Sequence, residues 1–243
     1  LRHPCFNLGA TTAKDFIPND IELGKEQPRL GLLTGANAAG KSTILRMACI
    51  AVIMAQMGCY VPCESAVLTP IDRIMTRLGA NDNIMQGKST FFVELAETKK
   101  ILDMATNRSL LVVDELGRGG SSSDGFAIAE SVLHHVATHI QSLGFFATHY
   151  GTLASSFKHH PQVRPLKMSI LVDEATRNVT FLYKMLEGQS EGSFGMHVAS
   201  MCGISKEIID NAQIAADNLE HTSRLVKERD LAANNLNGEV VSV

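Results

Sequence analysis

The stretch Gly35-Ala36-Asn37-Ala38-Ala39-Gly40-Lys41-Ser42 constrains the fold of this chain more than any other. It matches G-x-x-x-x-G-K-[ST] at every fixed position, and it joins two runs of different character. Before it, Leu30-Gly31-Leu32-Leu33-Thr34 is short and almost wholly apolar, as a parallel strand covered on both faces must be. After it, from Lys41 to about Met57, helix formers carry apolar side chains all round, which predicts a buried helix. Strand, glycine turn and helix make half of a βαβ unit.

The alternation continues downstream. Residues 91–105 predict a helix with Phe91, Leu95 and Leu102 on one side, and Leu110-Leu111-Val112-Val113 predicts a second buried strand ending in Asp114-Glu115. Ala129, Val132, Leu133, Val136 and Ile140 have the spacing of an amphipathic helix. Gly144-Phe145-Phe146-Ala147-Thr148 predicts a third strand closing on His149, and two antiparallel strands are expected over 167–174 and 178–186. The fold class is α/β, a mostly parallel sheet with helices on both faces. Residues 1–28, rich in turn formers, read as short strands or loops leading into the core.

Composition excludes several classes. The 243 residues hold 22 basic and 25 acidic side chains, a net charge of -3, so bulk electrostatics cannot hold nucleic acid; any DNA role belongs to other parts of an assembly. No run reaches the roughly 18 apolar residues of a membrane span. The longest, Met47 to Met57, is broken by Gln56 and followed by Gly58. The chain begins at Leu1 with no charged-then-apolar leader, which reads as an excerpt from a longer protein. Five cysteines suit a reducing intracellular compartment; Cys59 and Cys63, without a second pair at zinc spacing, read as small buried hydrophobes. The pairs His134-His135 and His159-His160 read as surface histidines.

Beyond Gly203 the character changes. Ile204, Ile208, Ile209, Ala212, Ala215 and Leu219 have helical spacing, and a more polar helical stretch runs from Thr222 to Ala233. This hairpin either covers the sheet or meets a partner. The expected organisation is a main domain over 1–203, a helical segment over 204–233 and a disordered tail over 234–243.

The chemistry sits at strand ends. Backbone N–H groups of the Gly35–Gly40 loop, with the positive end of the following helix, form an anion nest whose natural guest is a triphosphate. Lys41 is placed to reach the β- and γ-phosphates, Ser42 to put its hydroxyl on Mg²⁺, and Thr43 to hydrogen-bond phosphate. Asp114 stands where such a site needs a metal-holding carboxylate, and Glu115 directly after it can orient and deprotonate an attacking water, so hydrolysis is implied. His149 lies at the same carboxyl edge, either as a γ-phosphate sensor or as a structural residue. The 118–125 stretch reads as a flexible polar loop.

Taken together, these residues resemble the ATPase domain of MutS-family mismatch repair proteins over essentially the whole chain. The resemblance rests on Gly40-Lys41-Ser42-Thr43, Pro70-Ile71-Asp72-Arg73-Ile74, Arg77-Leu78-Gly79-Ala80, and Ser89-Thr90-Phe91 with Glu94. Further matches are Asp114 to Gly119, Ala147-Thr148-His149-Tyr150 and Ser193-Phe194-Gly195. It implies a P-loop NTPase of ABC-ATPase type with a C-terminal helix-turn-helix appendage that clasps a neighbouring subunit. It also implies ATP with Mg²⁺, bound at a head-to-tail interface of two such domains. Ser89 then looks like the signature serine reaching the partner's γ-phosphate, Arg118 to Asp124 the loop crossing the seam, and Phe16 and Tyr183 the rings packing on adenine.

The likeness points to the eukaryotic large subunit of the heterodimer that recognises mismatches and small insertion loops. Implied with it are a paralogous partner subunit, mismatched duplex DNA held by regions outside this chain, MutL-type downstream factors, nuclear location and sliding-clamp control. The family's usual Pro, Met and Gly are replaced by Ala36, Ala38 and Ala39, which leaves phosphate binding intact if Ala39 keeps a negative φ. Gly120 in place of Thr is expected to loosen the seam loop. The alternatives are an ABC-type transport cassette, whose Leu-Ser-Gly-Gly-Gln string is missing, and a scaffold holding nucleotide as a structural ligand.

Overall fold

A computed structural model describes residues 1–5, 16–79, 89–173, 178–190 and 194–218. The apolar runs become strands because each is covered on both faces: β1 (Leu30–Thr34) and β3 (Leu110–Asp114) are buried at every position, and β4 (Leu143–Ala147) at all but its first. With β2 (Ile74–Arg77), β5 (Val163–Asp173) and β6 (Asn178–Glu187) they form, among the described residues, a six-stranded sheet in the order β2-β3-β4-β1-β5-β6. The first five strands in that order run parallel. β6 turns back against β5: the Gly188 N–H donates to the Pro165 carbonyl at 3.0 Å and Ser169 Oγ to the Lys184 carbonyl at 2.9 Å, a constant antiparallel register.

Alternation along the strands sorts side chains into two apolar layers. Leu33, Val112, Phe145 and Ala147 face α1 (Lys41–Gln56), where Ile44, Leu45, Met47 and Ala48 pack on them. Leu32, Leu111, Val113 and Phe146 face the other way, toward Ala129, Val132 and Leu133 of α3 (Ser122–His135) and Leu153 of α4 (Gly151–Ser156). Each phenylalanine, 1% exposed, contributes about 1.5–3 kcal/mol by leaving water.

Several expectations are corrected. α1 is not buried all round, since Arg46 and Ile53 face solvent. By length and composition Asn37–Gln56 is apolar enough to cross a membrane, so the sequence alone does not exclude a span; half of that window is buried inside the fold, where α1 packs on β3 and β4. The inward stripe of α2 (Thr90–Met104) is Glu94, Thr98 and Ile101 rather than Phe91, Leu95 and Leu102. The 118–125 stretch is a loop only as far as Ser121, which caps α3 by accepting the Asp124 N–H. α3 ends in a π-turn, Val136–Ile140. Cys59 is exposed and Cys63 half-buried; all five thiols are free. Of the paired histidines, His134, His135 and His159 are exposed as expected.

Contacts divide the chain into two units, Leu1–Leu171 with Thr180–Gly192, and Val172–Val179 with Ser193–Val243. The second holds α5 (Gly195–Met201) and a helix from 206 to 218, on which Ile209 is buried while Ile208 and Ile214 are exposed. Ala80, the turn near 176, Ser193, and the expected second helix and tail beyond 218 lie outside the described residues.

Candidate active site

Because β1, β4 and β3 are parallel neighbours, the segments that follow them leave one edge of the sheet together. The Thr148 N–H donates to the Leu33 carbonyl at 3.0 Å and the Glu115 N–H to the Ala147 carbonyl at 2.9 Å, which sets the three exits level. The glycine loop leaves β1 through Gly35, takes one 3-10 turn over Asn37–Ala39, and reverses at Gly40 with φ 94° before α1 begins. Ala36, Ala38 and Ala39 all avoid positive φ, and Ala39 is fully buried, so these departures fit the backbone.

Lys41 folds back across the loop. Its Nζ donates to the carbonyls of Gly35 at 2.6 Å and Ala36 at 3.1 Å and lies 3.8 Å from Oε1 of Glu115. Burial lowers its pKa, against the raising charges of Glu115 and Asp114. Ser42 Oγ donates to Asp114 Oδ2 at 2.6 Å. Thr43 opens α1 beside it, its N–H on the Gly40 carbonyl.

Asp114 meets the requirement for a metal. Its Oδ1 is buried with no hydrogen-bond partner, and burial raises its pKa, opposed by the Ser42 bond and reinforced by the charge of Glu115. A hard divalent cation answers both conditions, and Mg²⁺ characteristically takes only one or two carboxylates and completes its shell with phosphate and water. Among the described residues no three His, Cys, Asp or Glu side chains converge as a self-sufficient cage.

Glu115 sits in the left-handed region at φ 54°, unusual for a residue with a Cβ and costing about 1–2 kcal/mol. Arg118 Nη1 donates to its Oε2 at 2.8 Å. His149 is exposed, its ring 4.1 Å from that of Tyr150; burial of its inner side lowers its pKa, against the raising charge of Glu115. Lys41, Ser42, Asp114 and Glu115 thus converge, with His149 within the field of Glu115 and Lys41.

Tyr183 also comes to the loop: a Cβ on Gly40 would lie 3.2 Å from its ring. Phe16 packs at the margin of the α1-side core. Ser89 serves α2 as N-cap, accepting the Phe92 N–H at 3.2 Å. Gly120 lies against the Phe91 ring of α2, which would come within 3.0 Å of a Cβ there.

Three residues at this site carry no role in the sequence reading. Asn19, 2% exposed, donates from Nδ2 to the Tyr183 carbonyl at 2.9 Å and accepts the Met185 N–H at 2.7 Å, tying the Phe16 segment to β6. Arg77 and Glu94, matched only as motif letters, form a buried ion pair at 3.2 Å, and Glu94 Oε1 accepts the Gly117 N–H. In the sequence an Asn after Pro18 reads only as a turn former, and pairing between β2 and α2 leaves no periodic signal.

Comparison with known proteins shows the family. The family model described as MutS domain V matches residues 31–220. The chain is 46% identical over 230 residues to the DNA mismatch repair protein Msh6 of Gallus gallus, covering 90% of this chain and 17% of that protein. It is 43% identical over 247 residues to Msh6 of Homo sapiens, covering 96% and 18%, and 46% identical over 220 residues to MutS of Chlamydia pneumoniae, covering 90% and 26%. It therefore spans only about a quarter or less of the length of these relatives. A glycine loop, an acid pair and a histidine on one sheet edge, in a chain so matched, make this a member of the MutS family of DNA mismatch repair proteins, represented here by its domain V.

Proposed function

We propose that this chain is a P-loop ATPase module of ABC type, which binds and hydrolyses ATP at a composite interface with a paralogous MutS-family subunit. Through that cycle it controls mismatch recognition and sliding-clamp formation on DNA. The convergence of Lys41, the Ser42–Asp114 pair and Glu115 carries the reading. Loop amides from Gly35 to Gly40 and Thr43 hold the phosphates, Lys41 neutralises their charge, and Ser42 and Asp114 hold Mg²⁺. When bound, Mg²⁺ would neutralise the negative charge of the phosphates. Glu115 takes a proton from water as the water oxygen attacks the γ-phosphorus in line; the β–γ bridge breaks, leaving ADP and phosphate. His149 faces the γ-phosphate, and Phe16 and Tyr183 pack on adenine.

Across the interface, Ser89 reaches the partner's γ-phosphate and the loop from Arg118 to Asp124 crosses the seam. The segment 204–233 clasps the partner, a reading supported by the exposed Ile204, Ile208 and Ile214. Likeness to Msh6 of two eukaryotes supports a heterodimer in the nucleus; on the same reading, mismatched duplex DNA is bound by other parts of the protein and MutL-type factors act downstream.

Glu115→Gln in the assembled protein is expected to keep ATP binding while single-turnover hydrolysis falls by about 10²–10⁴-fold, the usual worth of a positioned base. Equilibrium binding of labelled ATP and quenched-flow hydrolysis check this; hydrolysis near the wild-type rate refutes the assignment.

A further inference from the structure

Gly117, two residues past Glu115, is held at both ends of its own residue. Its N–H is accepted by Glu94 Oε1 from α2, and its carbonyl accepts the Tyr150 hydroxyl at 3.2 Å from the segment after β4. It stands at φ 94°, and a Cβ there would lie 2.3 Å from the Gly125 carbonyl oxygen at the start of α3. Between Glu115 and Gly117, Leu116 is fully buried. The turn bearing the left-handed Glu115 is therefore fixed from several directions, and among the described residues the charged group fixing its backbone is Glu94.

The pair that supplies this charge is a poor device for stability. Arg77 and Glu94 are 3% and 1% exposed, and Arg77 Nη2 reaches Glu94 Oε2 at 3.2 Å. Arg77 Nε and Nη1 are buried without hydrogen bonds, and Nε lies 3.7 Å from Glu97. A buried ion pair with unsatisfied donors recovers its desolvation cost incompletely and is often matched by apolar residues of the same size. A placement role accounts for it better: Arg77 orients the carboxylate, and the carboxylate pins an N–H that must point inward for Glu115 to point outward.

We propose that Glu94, oriented by Arg77, is a positioning residue for the hydrolytic step, holding the Gly117 N–H so that Glu115 keeps its strained conformation facing the γ-phosphate. This rests on the reading of Glu115 as the base. Glu94 touches no reacting atom; it acts through the turn.

Two electroneutral double variants separate this from a structural role. Arg77→Met with Glu94→Gln removes both charges and keeps an acceptor for Gly117, whereas Arg77→Met with Glu94→Met removes the acceptor as well. In the full-length protein assembled with its partner subunit, the Met/Met variant is expected to hydrolyse ATP in a single turnover at least about tenfold more slowly than the Met/Gln variant, with ATP dissociation constants within roughly threefold. Introducing Glu115→Gln into both is expected to abolish the difference, because effects acting through one residue are not additive. Equal rate constants in the two variants overturn the proposal, as does a difference that survives Glu115→Gln. Should either double variant fail to fold, Tyr150→Phe removes the hydroxyl that donates to the Gly117 carbonyl, which also accepts the Gly120 N–H at 3.4 Å, with little change of shape. It is expected to lower the single-turnover rate constant by about two- to fivefold at unchanged ATP affinity, and an unchanged rate overturns the proposal. A wild-type assembly that neither binds nor hydrolyses ATP defeats the proposed function itself, and this inference with it; an active wild type with indifferent variants defeats the inference alone.

Discussion

His160 illustrates how a residue outside the candidate site contributes to the response of the protein to acid. Its Nδ1 accepts the Gln162 N–H at 3.2 Å and its Nε2 meets Thr138 Oγ1 at 3.2 Å, an arrangement that suits the neutral ring with its proton on Nε2. The ring lies 6.2 Å from that of His134, which is itself 6.3 Å from His139, and 5.8 Å from Phe157. Burial, and then the charge of His134, lower its pKa from the usual 6.5. The unfolded chain therefore takes up a proton that the folded chain resists. Stability is complete above the unfolded value, falls as pH drops through it, and levels off below the folded value. The thermal midpoint is expected to fall between about pH 7.5 and 5.5, and His160→Gln to flatten the slope. A calorimetric pH series on both proteins checks this; identical slopes count against it. The sequence reads His160 as a surface histidine, whereas it is half-buried. It did not disclose the neighbours, because His134, His139 and His160 meet only once α3, its π-turn and the segment after α4 are packed.

Among the elements, α3 shows what a single cap can hold. Ser121 Oγ accepts the Asp124 N–H at 3.3 Å, with Asp124 in the first turn where its charge favours the helix dipole. The cap ends the loop that begins at Gly117 and lies against Phe91 of α2. Ser121→Ala is expected to cost about 1 kcal/mol and lower the thermal midpoint by roughly 2–4 °C. Urea and thermal unfolding test it, and an unchanged midpoint excludes a stabilising cap. What the sequence disclosed of the elements follows their burial. β1, β3 and β4 are legible because strands covered on both faces must be apolar at every position, and α1 and α3 because their stripes are apolar. β2 is not, since its four residues alternate in exposure and are preceded by Arg73 and closed by Arg77. The orientation of α2 is not either: periodicity follows apolar residues, and the inward positions of α2 are led by a glutamate and a threonine that answer to Arg77 and to backbone.

At the scale of the whole molecule, the candidate site was legible wherever contiguous residues carry it, as in the loop from Gly35 to Thr43 and the pair Asp114-Glu115. It was opaque wherever distant segments meet, as at Asn19 with β6 or Glu94 with Gly117. The sheet order also divides the site unequally. β1 has a parallel neighbour on each side, whereas β6, which carries Tyr183, is among the described residues the outermost strand of its edge. In deuterium exchange, amides of Leu32, Leu33 and Thr34 are expected to be protected at least about tenfold more than those of Phe181 and Tyr183, because edge strands open locally at lower free energy than the centre of a sheet. Equal protection would contradict this. On the proposed reading, a bound nucleotide rests its charged end on the most durable part of the scaffold and its ring on the part that frays first. The tally of phosphoryl groups is then read by something stiff, while the identity of the heterocycle is left to something pliant.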